Sequence, residues 1–381
     1  MTGKRSNPLS LLLLLTGLLC GAVPAAAFET GAKQVIIVDF TTGSELFAVN
    51  ADTPMHPASM TKLMTIYLLF ERLKNGSISL TDTLPVSKKA WRKQGSKMFV
   101  EVGKRVKVED LIRGIVVQSG NDASIVVAEG LAGSEEAFAQ QMTQKARALG
   151  MENTTFRNSS GWPDPDHLTT ARDIATLAAA IIRDFPDYYH YYSERSFTFA
   201  GIKQGNRNPL LYRNMGADGL KTGHTEEGGY GLAASAKRGD RRLIMVAHGM
   251  KSIRARSTES QRLLDWAFRE FSTYPLLKGG EDVVDAEVWL GAQETVPLRI
   301  EEDLTIVIKR SARKSLKVTA KFDEPIAAPV TAGTQLGTLL VTAPDMDPIE
   351  RPLLASRDVG TLGMFGRLQA ALGYLIWDSG K

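Results

Sequence analysis

A serine and a lysine one helical turn apart are the first residues in this chain with the makings of a reaction. Ser59-Met60-Thr61-Lys62 follows Pro57-Ala58 and opens an apolar run, so on a helix the two side chains face the same way. A serine hydroxyl is a poor nucleophile until an adjacent base takes its proton. Lysine is that base only where burial or neighbouring positive charge lowers its pKa, and Leu63, Met64 and Ile66 supply an apolar flank. The tetrapeptide alone discriminates poorly. A second one, Ser311-Ala312-Arg313-Lys314, stands among other cations and reads as a solvated strand end. Two further motifs sharpen the reading: Ser119-Gly120-Asn121 between two helical runs, and Lys221-Thr222-Gly223 ending a strand. Each alone reads more readily as a turn. In the order Ser-x-x-Lys, Ser-x-Asn, Lys-Thr-Gly, coincidence becomes a poor explanation. Other reagents are missing from the sequence: it has no phosphate-cradling Gly-x-x-x-x-Gly-Lys loop, no Gly-x-Ser-x-Gly elbow and no His-Glu-x-x-His pair. The histidines His56, His167, His190, His224 and His248 never stand at ligand spacing, so the expectation is no metal and no cofactor.

The elements that would carry these residues form a mixed α/β pattern. Short β-type runs at 35–38 and 46–49 flank Thr42-Gly43 and predict a hairpin. Residues 59–182 change to helical periods. Ser134 precedes one helix that Gly150 closes, and Thr170 precedes another that Pro186 follows. Strand character returns at 219–222, 230–237 and 243–248, and a last helix runs from about 257 to 271. Strands at both ends of a helical stretch predict one sheet assembled from distant segments. After Tyr274-Pro275 helical periods vanish, and short alternating runs at 286–290, 304–308, 316–322 and 336–341 predict a small all-β domain over 276–350. Residues 351–381 read as a linker and an amphipathic helix over 359–377, whose broad apolar face includes Leu362, Phe365, Leu368, Leu372 and Ile376. Such a helix either lies in a bilayer interface or docks on its own domain; the reading adopted is a peripheral membrane anchor.

The 381 residues favour two domains. With 43% hydrophobic and 23% charged residues the composition is globular, which excludes a disordered, collagenous or multi-span membrane protein. The net charge is +4, or +2 without Lys4 and Arg5, and so balanced a charge gives no nucleic-acid footprint. Lys4-Arg5, an apolar run over 9–19 and the small-residue site Ala25-Ala26-Ala27 form an export signal, 1–27, cleaved after Ala27. The single cysteine, Cys20, lies within it, leaving a mature chain with no disulfide and no thiolate. A catalytic domain over 28–275 follows.

The three motifs are those quoted for penicillin-binding proteins and class A β-lactamases. The chain resembles the low-molecular-mass penicillin-binding proteins that act as serine-type D-alanyl-D-alanine carboxypeptidases, over nearly its whole mature length. The likeness rests on residues 39–43, 57–65, 118–123 and 218–225, on Gly229-Tyr230, and on 253–256 before Leu263-Leu264. It implies a penicillin-binding/β-lactamase-like catalytic domain with a central antiparallel sheet and a helical cluster, followed by the β-domain and the tail. It implies that Ser59 attacks the peptide bond between two D-alanines with Lys62 as base, and that Ser119 relays a proton to the leaving amine. Asn121 would hold the substrate amide, and Lys221 would support the proton network. Thr222 and Arg256 would receive the terminal carboxylate, with Arg254 close enough to compete for that part. Gly223 belongs to the same strand motif, and backbone N–H groups of Ser59 and His224 would form the oxyanion hole. Arg207 is a further substrate contact. The partners implied are peptidoglycan pentapeptide, β-lactams as inhibitors, a membrane surface on the periplasmic side of a bacterial inner membrane, and proteins meeting the β-domain. Class A β-lactamases deacylate with a glutamate-activated water, supplied in that family by a Glu-x-x-x-Asn segment. No asparagine after Asn121 has a glutamate four residues before it, so slow β-lactam hydrolysis is expected.

Overall fold

The computed structural model describes residues 28–364 and Gly366. The export signal with Cys20 and the greater part of the terminal helix lie outside the described residues.

The chain opens with the expected hairpin, β1 (Gln34–Asp39) and β2 (Glu45–Val49). A turn of 3-10 helix over Ala58–Thr61 then runs into α1 (Lys62–Lys74). Ten of the thirteen α1 residues are buried, all apolar or aromatic except Lys62 and Thr65, and only Glu71, Arg72 and Lys74 reach toward solvent. A helix clothed on nearly every side is the centre of a cluster rather than a surface element. Around it lie β3 (Thr83–Pro85), α2 (Lys88–Arg92), β4 (Arg105–Lys107), α3 (Val108–Val116), α4 (Asn121–Ala132), α5 (Glu135–Ala148) and α6 (Ala171–Asp184). The caps read from the sequence form: Ser134 Oγ accepts the Ala137 N–H and Thr170 Oγ1 that of Asp173, each worth ~1 kcal/mol of helix stability.

After the ribbon of β5 (Ser196–Phe199) and β6 (Ile202–Gly205), the chain returns to the first sheet as β7 (Ala217–Thr225), β8 (Gly229–Arg238) and β9 (Arg241–Met250). The order is β2-β1-β9-β8-β7, antiparallel throughout. The sheet is thus assembled from distant segments, as the sequence predicts. Residues Leu243 to Met250 of β9 are continuously buried, the signature of a strand covered on both faces; α6 and α7 (Ile253–Glu270) both pack on it. The outermost strand, β7, carries Lys221-Thr222-Gly223 and lies against the 3-10 turn that holds Ser59.

Helix α7 passes without a loop into β10 (Phe271–Leu277), which pairs with β13 (Leu304–Lys309). The second region therefore begins at Phe271 rather than at 276. Tyr274-Pro275 marks a composition shift inside a strand, not a border. A six-stranded sheet completes it, ordered β14 (Lys317–Phe322), β16 (Gln335–Thr342), β17 (Ile349–Ala355), β12 (Thr295–Arg299), β11 (Asp282–Trp289) and β15 (Ile326–Ala327). Its core includes Ala286, Val296, Leu298, Ile306, Val341 and Leu353, supplied by the alternation visible in the sequence. Residues 351–355, read from sequence as linker, belong to β17; Glu350-Arg351-Pro352 interrupts the usual strand signals. Beyond it Val359 bridges to Val330 and Thr361 to Gly291. Those residues are β-paired, so the terminal helix does not begin at 359. Ser311-Ala312-Arg313-Lys314 lies in a 3-10 turn over Arg310–Ser315 rather than at a strand end, with Ser311 and Lys314 exposed as expected. Among the described residues no helix is long and apolar enough to cross a membrane.

Candidate active site

The 3-10 turn over Ala58–Thr61 eclipses side chains three residues apart, and this brings Ser59 and Lys62 together. Lys62 Nζ lies 2.9 Å from Ser59 Oγ, 2.8 Å from Asn121 Oδ1 and 2.6 Å from the Ser160 carbonyl. The backbone feeding the turn is strained: Ala58 has φ +50°, a region that costs a non-glycine residue ~1 kcal/mol or more. Gly161 explains how the turn is held. It has φ +76°, and a Cβ there would sit 1.7 Å from the Ala58 carbonyl oxygen, so only glycine lets the 158–167 loop close over the serine turn. That loop is built by Asn158, whose Oδ1 accepts the N–H groups of Ser160, Gly161 and Trp162. Thr65 on α1 donates to the Ser159 carbonyl, and Ser159 donates to Glu135.

Lys62 is fully buried, and that burial, assisted by the Arg207 charge, holds its ammonium pKa well below the usual lysine range; Asp122 opposes the shift. Lys221 on β7 is also buried and also lowered, by desolvation first and then by the charges of Lys62, Arg207 and Arg256. Its Nζ makes a long contact, 3.4 Å, to the Thr222 carbonyl.

The Ser119-Gly120-Asn121 segment joins α3 to α4. Ser119 has φ +61° and a buried Oγ with no hydrogen-bond partner among the described residues. Asn121 is oriented from both sides, accepting from Lys62 and donating to the Gln94 carbonyl. The neighbouring Asp122 carboxylate is buried and accepts the N–H groups of Met98, Phe99 and Val100 as well as that of Ala123. It moors residues 98–100 to the start of α4, and Ser96 accepts the Asn121 N–H.

Strand β7 approaches so closely that a Cβ at Gly223 would meet the Pro57 carbonyl at 2.8 Å. Thr222 is buried, and His224 stacks on Tyr230 at 3.9 Å. The Arg256 guanidinium lies 5.7 Å from the same Tyr230 ring; the residue is 7% exposed, and its Nε has no hydrogen-bond partner among the described residues. Arg254 is exposed on α7, so of the two arginines only Arg256 is turned toward the buried cluster. Arg207 donates to Ser96 Oγ at 2.6 Å. A cavity of about 920 Å³ joins these walls, with Ser59, Asn121, Ser160, Trp162, His224 and Glu226 among its lining.

Ser59 and Asn121 of the first two motifs therefore line one cavity, and the strand of the third reaches it through His224, the residue after Gly223. The sequence reading missed the loop that closes it. Asn158-Ser159-Ser160-Gly161 carries only the generic signal of a turn, and nothing local announces that the Ser160 carbonyl binds Lys62. His167 is a satisfied buried histidine: its Nδ1 accepts the Arg157 N–H, leaving Nε2–H for Thr61 Oγ1 at 2.9 Å, and burial lowers its pKa to about 4. Among the described residues no carboxylate hydrogen-bonds to Ser59, Lys62 or Asn121.

Comparison with known proteins gives a consistent result. The model of a family described as D-alanyl-D-alanine carboxypeptidase matches residues 22–252, and that of the penicillin-binding protein 5 C-terminal domain matches residues 271–361. The chain is 35% identical over 378 residues to D-alanyl-D-alanine carboxypeptidase DacA of Haemophilus influenzae, covering 96% of each. It is 42% identical over 316 residues to DacC of Escherichia coli, covering 81% of this chain and 79% of that one. The solved structure of penicillin binding protein 5 from Haemophilus influenzae is similar with a TM-score of 0.78 and 36% identity, covering 87% of this chain and 98% of the other.

Proposed function

The chain belongs to the D-alanyl-D-alanine carboxypeptidase family, a serine-type peptidase with the penicillin-binding fold, and from that premise we propose how its own residues perform the reaction. The observation that carries the proposal is the triple contact of Lys62. A neutral amine has two N–H donors and one lone pair. The Asn121 and Ser160 oxygens take both donors, which leaves the lone pair for the Ser59 O–H. Lys62 is thus a base aimed at that proton, with burial lowering its pKa.

Ser59 Oγ attacks the carbonyl carbon between the two terminal D-alanines as Lys62 takes its proton. The oxyanion is received by the backbone N–H groups of Ser59 and His224, and losing one such donor costs ~3 kcal/mol in comparable sites. Collapse expels the terminal D-alanine, whose amine takes the proton Lys62 received, relayed through Ser119, so that Lys62 is a free amine again; the Ser119 Oγ, unpartnered among the described residues, makes that bond once substrate arrives. Water then attacks the acyl-enzyme with Lys62 again as base. Thr222 and Arg256 bind the terminal carboxylate, with the Lys221 charge behind them. This carboxylate contact makes the enzyme an exopeptidase. Asn121 holds the substrate amide, Gly223 keeps β7 close enough for the oxyanion contact, and Arg207 completes the cationic wall.

Penicillin presents a carbonyl and a carboxylate at the same places and acylates Ser59. Among the described residues no carboxylate hydrogen-bonds to Ser59, Lys62 or Asn121, which favours slow deacylation over β-lactamase turnover. We assign residues 1–27 to a cleaved export signal, 28–270 to catalysis, 271–361 to a β-domain that meets partner proteins, and the remaining tail to a helix lying on the periplasmic face of the inner membrane.

Intact-mass analysis with penicillin tests this assignment. The parent gains one penicilloyl group, Ser59→Ala gains none, and turnover at β-lactamase rates would overturn the slow-deacylation reading.

A further inference from the structure

Two loops hold the two ends of the hydrogen bond between Lys62 and Asn121. Residues 93–97 hold the asparagine: the Gln94 carbonyl accepts its Nδ2–H at 2.9 Å, and the Ser96 carbonyl accepts its backbone N–H at 2.7 Å. Residues 158–162 hold the lysine, through the Ser160 carbonyl at 2.6 Å. Both loops line the catalytic cavity, the first with Gly95 and Ser96, the second with Ser160, Gly161 and Trp162.

Among the described residues no hydrogen bond or ion pair joins 93–97 to 158–162. A cation and a ring join them instead. Lys93 Nζ lies over the Trp162 indole, 4.1 Å from the ring centroid. Lys93 is half-buried, and its ammonium makes no hydrogen bond or ion pair among the described residues, so the ring face stands where a carboxylate would otherwise be needed. The backbone closes up beside this contact. Gly95 has φ +84°, and a Cβ there would stand 2.7 Å from Asn121 Nδ2 and 3.2 Å from Trp162 Cζ3, so this residue lies against both the asparagine and the indole and tolerates no side chain. An ammonium on an indole face, partly withdrawn from water, shifts an equilibrium by about three- to tenfold.

We propose that Lys93 and Trp162 form a clasp between the two loops, a pair of positioning residues that keeps the Asn121 side-chain oxygen and the Ser160 carbonyl together on the Lys62 amine. The inference rests on the role given to Lys62 above and adds to it the device that holds its two acceptors in register. With the clasp open, the two oxygens no longer take both N–H donors at once, and the lone pair loses its aim at Ser59.

The test is a double-mutant cycle on the full chain, reading D-alanine release from an acyl-D-Ala-D-Ala peptide and penicillin acylation of Ser59. Lys93→Met keeps the stem and removes the charge, Trp162→Leu removes the ring, and Lys93→Arg keeps a cation that stacks on indole. Because the Lys93 charge also contributes to lowering the Lys62 pKa, each rate is read on the plateau of its own pH profile, where that contribution no longer counts. Lys93→Met and Trp162→Leu are each expected to lower kcat and the acylation rate by about tenfold with KM within about twofold, since Thr222 and Arg256 are untouched. Lys93→Arg should stay within about twofold of the parent, and the double variant should lose no more than Trp162→Leu alone, because both substitutions break one contact. Losses that multiply in the double variant, an arginine no better than methionine, or a lowered Tm with kcat unchanged would overturn the clasp. A parent that releases no D-alanine would overturn the carboxypeptidase reading itself, whereas the acylation rates of the same variants still judge the clasp.

Discussion

At the scale of the residue, the account depends on a lysine whose pKa is lowered by its surroundings. Lys62 must accept a proton, so activity is present above its lowered pKa and is lost as pH falls through it. Arg207 contributes positive charge to that lowering. Arg207→Ala is expected to raise the Lys62 pKa and move the acid limb of kcat/KM to higher pH, beyond any loss of substrate contact; a pH–rate profile reads the shift. Lys221 offers a stability counterpart. A buried lysine with a depressed pKa weakens the folded state below the ordinary lysine pKa, and the penalty disappears as pH rises toward that value. Lys221→Met should raise Tm at neutral pH by about 3 °C while lowering kcat/KM by roughly 100-fold or more, measured by calorimetry and D-alanine release. The reactive residues were legible because a base, a nucleophile and their helpers recur at fixed spacings. The Ser160 carbonyl was not, since every residue has one and only the fold selects which oxygen meets the amine.

At the scale of the element, the site is held by two loops whose anchors are single residues. Gly161 admits no side chain against the Ala58 carbonyl. Gly161→Ala is expected to cost roughly 3 kcal/mol of stability and to slow penicillin acylation of Ser59 by more than about 100-fold, because the displaced loop carries the Ser160 carbonyl away. Asp122→Asn replaces an oxygen that accepts backbone N–H groups with a donor, leaving buried donors of residues 98–100 unsatisfied at roughly 2 kcal/mol; faster hydrogen exchange at those amides is the readout. The hairpin, the capped helices and the sheet built from distant strands were visible in periodicity and capping residues. Strand β17 was hidden by Glu350-Arg351-Pro352. Strand β10 was hidden because Phe271 ends a helix and starts a strand with no turn residue between.

At the scale of the whole molecule, the β-paired stretch to Thr361 sets where a tail can be removed. Deleting 364–381 should release the protein from membranes, leave Tm unchanged and spare activity on soluble peptides, in a fractionation and melting experiment. Deleting 359–381 should also lower Tm, because Val359 and Thr361 are bridged to Val330 and Gly291. The cavity and the charges beside it lie within residues 56–256, so the proposed chemistry calls on no residue of the β-domain. That chemistry is tested most directly by D-alanine release from an acyl-D-Ala-D-Ala peptide, using the parent, Ser59→Ala and Lys62→Ala. Release by the parent that disappears in both variants is the predicted result. Release that survives loss of Ser59 or Lys62, or a folded parent that releases nothing, would contradict the serine–lysine mechanism.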